Sequence, residues 1–109
     1  MSKLVDRQAK FLLNVCKVIQ FATDLGYQVT IGEAERTPEQ AEIYAKKGIG
    51  VKDSKHCERL AIDLNYYRAG KLVNDRVSLE AVGCYAESLG LVWGGRFKKY
   101  DDSRHLQSK

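Results

Sequence analysis

Leu60-Ala61-Ile62-Asp63-Leu64-Asn65-Tyr66 is the stretch on which the fold turns. Leu60, Ile62 and Leu64 fall on one side of an alternating pattern, and Ala61, Asp63 and Asn65 on the other. That two-residue period is a strand with one face against a core. With the leucines and isoleucine inward, Asp63 faces a surface or cleft, and small Ala61 leaves room beside it. Outward from this strand, Arg68-Ala69-Gly70-Lys71 predicts a turn and Leu72-Val73 a short apolar stretch. Upstream, residues 48–55 read as a loop, and Thr37-Pro38-Glu39-Gln40 opens a helix that ends near Lys47-Gly48. Thr37 caps it, Pro38 suits the first turn, and Gln40 closes a capping box.

Tyr27 to Ile31 has strand composition. Residues 5–24 predict a helix with Leu12, Val15, Cys16, Ile19 and Ala22 on one face and Gly26 just beyond its end. Downstream, Ser78 is expected to cap a third helix through Leu79, Val82, Tyr85, Ala86 and Leu89 to Gly90. Leu91-Val92-Trp93 reads as a strand stopped by Gly94-Gly95, and His105-Leu106-Gln107 as a last strand. The order α-β-α-β-α-β-β predicts a small α+β fold. Its short, mainly antiparallel sheet packs with about three helices and carries the site in a cleft.

The chain has 109 residues, which bounds it to one domain over 1–109 with a single modest core. Apolar residues at 44% and charged ones at 29% exclude a disordered composition. The net charge of +4 favours anionic partners. Cys16, Cys57 and Cys84 are odd in number and lack C-x-x-C spacing, which argues against a disulfide framework and a thiolate zinc finger. All three are expected as buried structural thiols, Cys57 because its neighbour His56 points the other way along an extended segment. No apolar run approaches the ~20 residues of a spanning helix, so no membrane insertion is expected. No signal-peptide h-region follows Met1, so action outside the cytoplasm would need another means of release.

The only two histidines, His56 and His105, each have an aspartate nearby: Asp63 seven residues after His56, and Asp102 three before His105. Two imidazoles and one carboxylate match a three-ligand metal set with an open position, which leaves a second carboxylate as base. A satisfied or surface histidine is the competing explanation. Asp101 competes with Asp102, and a one-residue shift of the loop would exchange them.

Ser54-Lys55-His56-Cys57-Glu58-Arg59-Leu60-Ala61-Ile62-Asp63 resembles the S-x-H-x-x-G-x-A-x-D motif of the LAS-type zinc peptidases. These are the VanY-like D-Ala-D-Ala carboxypeptidases and the L-alanyl-D-glutamate endopeptidases of phage endolysins. Trp93-Gly94-Gly95 followed by Asp102-Ser103-Arg104-His105 resembles the second motif, and Arg36-Thr37-Pro38-Glu39-Gln40 a third feature. The three occur in the family's order across residues 27–107. The resemblance implies that His56, Asp63 and His105 hold Zn²⁺. Asp102 would be the general base, and Arg36 would hold the scissile carbonyl oxygen. Ser54 would position the His56 loop or a substrate group, and Trp93 would line the cleft, a core position being the alternative. The implied reaction is hydrolysis of an amide bond in the stem peptide of bacterial peptidoglycan, by a protein made in a host cytoplasm and released to the wall. A monomer is expected.

One position departs from the motif: Arg59 stands where the family has Gly. A glycine there supplies a backbone with φ > 0, which an arginine disfavours. Arg59 shares strand parity with Asp63 and either reaches toward the site to bind a substrate carboxylate or stays solvated at the loop edge. Basic residues at Lys46, Lys47, Lys52, Lys55 and Arg59, and at Arg96, Lys98, Lys99 and Arg104, suggest a rim that attracts wall polymer. Two other classes compete: a non-catalytic wall-binding module of the same fold, and a basic nucleic-acid-binding protein. The second has no helix-turn-helix, zinc knuckle or stacking motif in its favour, so no nucleic-acid partner is expected.

Overall fold

The computed structural model describes residues 3–33, 58–98 and 101–109. The Thr37–Lys47 helix, the 48–55 loop and Arg36, Ser54, His56 and Cys57 lie outside the described residues. Within them the elements are α1 (Lys3–Asp24), β1 (Gln28–Glu33), β2 (Ala61–Arg68), β3 (Lys71–Val73), α2 (Arg76–Ser88), β4 (Leu91–Trp93) and β5 (His105–Ser108), with a 3-10 turn at Gly94–Arg96. This is the expected α+β class, with an antiparallel five-stranded sheet.

The strand that decides the fold, β2, is the hub of the sheet. Along one edge it pairs with β1, Asn65 opposite Thr30 and Asp63 opposite Glu33, with an irregularity between Ile31 and Glu33. Its other edge is shared. Ala61, Ile62 and Asp63 pair with Gln107, Leu106 and His105 of β5, while Tyr66 to Arg68 pair with β3. β4 adds to the far side of β5 with Trp93 opposite Leu106.

The alternation is realised as read. Leu60, Ile62, Leu64 and Tyr66 are buried together with Leu106, Leu91 and Trp93. Both helices cover that face: α1 through Phe11, Val15, Val18 and Ala22, and α2 through Leu79, Val82 and Ala86. Burial of this apolar surface is the main force holding helices to sheet. The opposite face carries Asp63, Asn65, His105 and Gln107.

Three local expectations are corrected. The inward stripe of α1 is Phe11-Val15-Val18-Ala22: Val15 and Ala22 are as expected, while Phe11 and Val18 take the places expected for Leu12, Cys16 and Ile19. Leu12 is 60% exposed. Cys16 and Cys84 are exposed, not core. The N-cap of α2 is Asp75, not Ser78: Asp75 is extended and its carboxylate accepts the Ser78 backbone N–H at 2.9 Å. An aspartate one turn earlier satisfies the orphan donors first.

Candidate metal and catalytic centre

Asp63 and His105 are direct partners in the β2–β5 register. Residues facing each other across an antiparallel pair hold their Cβ atoms about 4.5–5.5 Å apart. That lets the two side chains meet without any loop, and Asp63 Oδ1 lies 3.0 Å from His105 Nδ1. The other ring nitrogen, Nε2, lies 2.7 Å from Gln107 Oε1, two residues on and on the same face. Phe97 lies beside the imidazole, ring centroids 5.7 Å apart.

Asp102 comes to the same place from a tight turn. The His105 N–H donates to the Asp102 carbonyl at 2.9 Å, and the Asp102 carboxylate stands 3.9 Å from His105 Nδ1. All three carbonyls of this turn are taken. Asp102 accepts from His105, Ser103 accepts the Trp93 indole N–H at 2.9 Å, and Arg104 accepts the Leu64 N–H at 2.9 Å. Buried carbonyls that each have a donor leave the turn no low-cost alternative. Gly94 completes the fit, because a Cβ there would collide with the Asp102 carbonyl.

The two aspartates of the turn have different partners. Asp101 accepts the Arg76 N–H at 2.9 Å, the Ser103 N–H at 3.1 Å and the Ser103 hydroxyl. The Ser103 bonds hold its carboxyl below the ordinary range against a small opposing effect of burial. It is spent on the helix start and the turn. Asp102 is the one that joins Asp63 and His105.

Burial pulls the His105 imidazole toward its neutral form, yet its hydrogen bonds to the oxygens of Asp63 and Gln107 and the charges of Asp63 and Asp102 leave it above its ordinary value. Burial first, and the Asp63 charge second, push the Tyr66 phenol far up, so it stays neutral. One ligand atom each from Asp63, Asp102 and His105 lie within 4.8 Å of one another. Metal–ligand bonds of 2.0–2.2 Å in a tetrahedron put ligand atoms about 3.4 Å apart. The observed 3.0 and 3.9 Å about Nδ1 straddle that value. The Asp63 carboxylate and the His105 imidazole are donors zinc accepts at a spacing that fits the ion, with the Asp102 carboxylate beside them.

Trp93 is corrected: at 1% exposed it is a core residue, not a cleft wall. Its ring packs against Gly83 and Gly95, and it reaches the site only through the Ser103 carbonyl. Arg96 is also withdrawn from the basic rim, since it hydrogen-bonds Glu87 at 3.1 Å and lies 4.0 Å from Glu80. Arg59 is exposed with φ 57°, the left-handed conformation expected at the family's glycine position. Sequence reading passed over Gln107, Asn65 and Phe97 as site residues, although the parity of Gln107 with His105 was the signal for the first.

Comparison with known proteins bears on the fold and the family. The fold is similar to that of the Serratia marcescens L-Ala D-Glu endopeptidase ChiX, with a TM-score of 0.71 and 16% identity over 99% of this chain and 87% of that one. No curated protein matches the chain by sequence. Among the described residues no helix is long and apolar enough to cross a membrane. The family profile described as D-alanyl-D-alanine carboxypeptidase matches residues 48–108, which is more than half of the chain and contains Asp63, Asp102 and His105. The chain belongs to the D-alanyl-D-alanine carboxypeptidase family of peptidases.

Proposed function

We propose that the chain is a zinc peptidase of the endolysin kind that hydrolyses the L-Ala–D-Glu amide of the peptidoglycan stem peptide. The observation that carries it is the meeting of Asp63, Asp102 and His105 on one sheet face within a peptidase family. In this reading His56, Asp63 and His105 hold the ion, with Nδ1 of His105 as the ligand atom because Gln107 occupies Nε2. Bound zinc would polarise the scissile carbonyl and acidify the attacking water.

Asp102 is the general base. Its carboxylate is partly exposed and stands farther from Nδ1 than Asp63 does, which leaves it room to take the proton of the attacking water. It then returns that proton to the leaving amine. Arg36 holds the carbonyl oxygen as negative charge develops there. Ser54 positions the His56 loop, and Arg59, at the entrance to β2, offers a cation to incoming polymer. The terminal D-Ala–D-Ala bond is the second reading, favoured by the family description. Both reactions need the same base and ion.

The test is zinc content together with mass spectrometry of digested peptidoglycan. One zinc per chain and a new amino terminus at D-Glu are expected. Release of terminal D-Ala moves the assignment to the carboxypeptidase. Absence of zinc and product with metal supplied defeats the enzyme and leaves the wall-binding module. Asp102→Ala should abolish hydrolysis while zinc is retained; an unchanged rate removes the base role.

A further inference from the structure

Arg104 is set apart from the other described arginines near the sheet. Arg96 is neutralised by Glu87, and Arg68 donates to the Leu25 carbonyl and stacks on Tyr27. Arg104 is half-buried, and the partner of its side chain is neutral: Nη1 donates to Asn65 Oδ1 at 2.6 Å. Among the described residues no carboxylate lies within ion-pair distance of it. A guanidinium has five N–H donors, so most of its hydrogen-bonding capacity and all of its charge remain unspent.

Its placement is fixed from both ends. The Arg104 carbonyl accepts the Leu64 N–H, and its side chain is held by Asn65, the next residue of β2. Asn65 lies two residues beyond Asp63 on the same face, about 6.6 Å along the strand. The side chain of Asn65 has room because Gly32, in the irregular step of β1, lies beside it: a Cβ at Gly32 would stand 3.2 Å from Asn65 Oδ1. The cation therefore sits one side-chain position from the Asp63–Asp102–His105 cluster.

We infer that Arg104, held by Asn65, binds the α-carboxylate of the substrate residue that supplies the leaving amine. The inference rests on the peptidase reading above and deepens it. In L-Ala–D-Glu the glutamate continues the stem through its γ-carboxyl, so its α-carboxylate is free on the carbon next to the scissile nitrogen. In D-Ala–D-Ala the terminal carboxylate occupies the same place. One cation beside the cluster serves either substrate, and it rejects a peptide in which that carboxylate is an amide. Arg–carboxylate pairs favour a two-bond fork, which orients the leaving residue as well as attracting it.

The test uses the full zinc-loaded chain and two peptide pairs: L-Ala-γ-D-Glu-L-Lys against its D-isoglutamine counterpart, and a D-Ala-D-Ala acid against its C-terminal amide. Wild type should cleave the acid of one pair about 10–100-fold better than its amide, the range for a hydrogen-bonded charge. Arg104→Gln should lose about that factor on the acid, mainly in KM, with the amide and the zinc content little changed. Arg104→Lys should recover part of the loss. Equal wild-type rates on acid and amide overturn the inference even if Arg104→Gln fails to fold. A parallel loss on both substrates reduces Arg104 to a structural role and overturns it too. Cleavage of none of the four peptides overturns the peptidase reading itself.

Discussion

Arg59 shows how one residue can record a family's backbone while departing from its side chain. Its φ of 57° is left-handed, where a residue with a Cβ meets the following carbonyl. Glycine accepts that conformation, but it also gives the unfolded chain more freedom, which offsets part of the relief. Arg59→Gly should therefore be about 0.5–1 kcal/mol more stable, a rise of about 2–4 °C in Tm. Urea denaturation of the two proteins checks it, and an equal or lower stability would mean that the interactions of Arg59 outweigh its strain. Asp101 gives a second residue-scale prediction. Its folded carboxyl is held below its unfolded value, chiefly by the Ser103 hydroxyl. Such a group stabilises above the unfolded value, and the stabilisation is lost as pH falls through the folded one. The advantage of wild type over Asp101→Ala should be full at pH 7 and shrink steadily below about pH 4. A gap that stays constant down to pH 2 would show that the bonds to Ser103 and Arg76 do not depend on charge.

Elements differ in how legible they were, for physical reasons. β2 was readable because alternation has a two-residue period that few other patterns imitate, and the pairing of Asp63 with His105 follows once both strands turn their apolar residues inward. In α1 two apolar stripes compete, Leu12–Ile19 and Phe11–Val18, and spacing cannot choose between them. The choice depends on the volume the sheet leaves to fill, which is a tertiary property, and it carried Cys16 outward with Leu12. In the sequence Asp102 is favoured over Asp101 as candidate base only by its three-residue offset from His105; what separates the two in the fold is the long-range bond that the Arg76 N–H donates to Asp101. Trp93 was readable as a landmark, but its burial depends on Gly83, on the neighbouring helix α2, a contact that spacing does not reveal. That contact makes a prediction in which two rules oppose. Helix propensity says Gly83→Ala should stabilise α2 by about 1 kcal/mol. A Cβ there would collide with the Trp93 ring, and overpacking of this kind costs about 1–3 kcal/mol. Packing should win, with Gly83→Ala net destabilised in thermal unfolding; a stabilised variant would show that the indole can move aside freely.

At the scale of the whole molecule, folding and the site depend on the same parts. Asp63 and His105 belong to strands whose other faces form the core, and Asp102 stands on a turn whose carbonyls are tied to β2, β5 and Trp93. In the unfolded chain these donors are separated and hold no common ion. An ion that binds only the folded state stabilises it by mass action. With free zinc at 100 times its Kd, the gain is about 2.7 kcal/mol. For a chain of this length that is a rise of about 10 °C in Tm. Zinc titration followed by thermal unfolding should show this rise, and a chelator should reverse it. His105→Ala and Asp63→Asn should remove the rise at the same zinc concentration, because each deletes a donor on which the others converge. Trp93→Phe separates the two contributions: it should lower the zinc-free Tm, through the orphaned Ser103 carbonyl, and weaken zinc binding about 10-fold by loosening the turn that sets His105. An undiminished zinc shift in His105→Ala would place the ion elsewhere. A Trp93→Phe protein with a lower Tm but unchanged zinc affinity would mean that the turn keeps its shape without the indole.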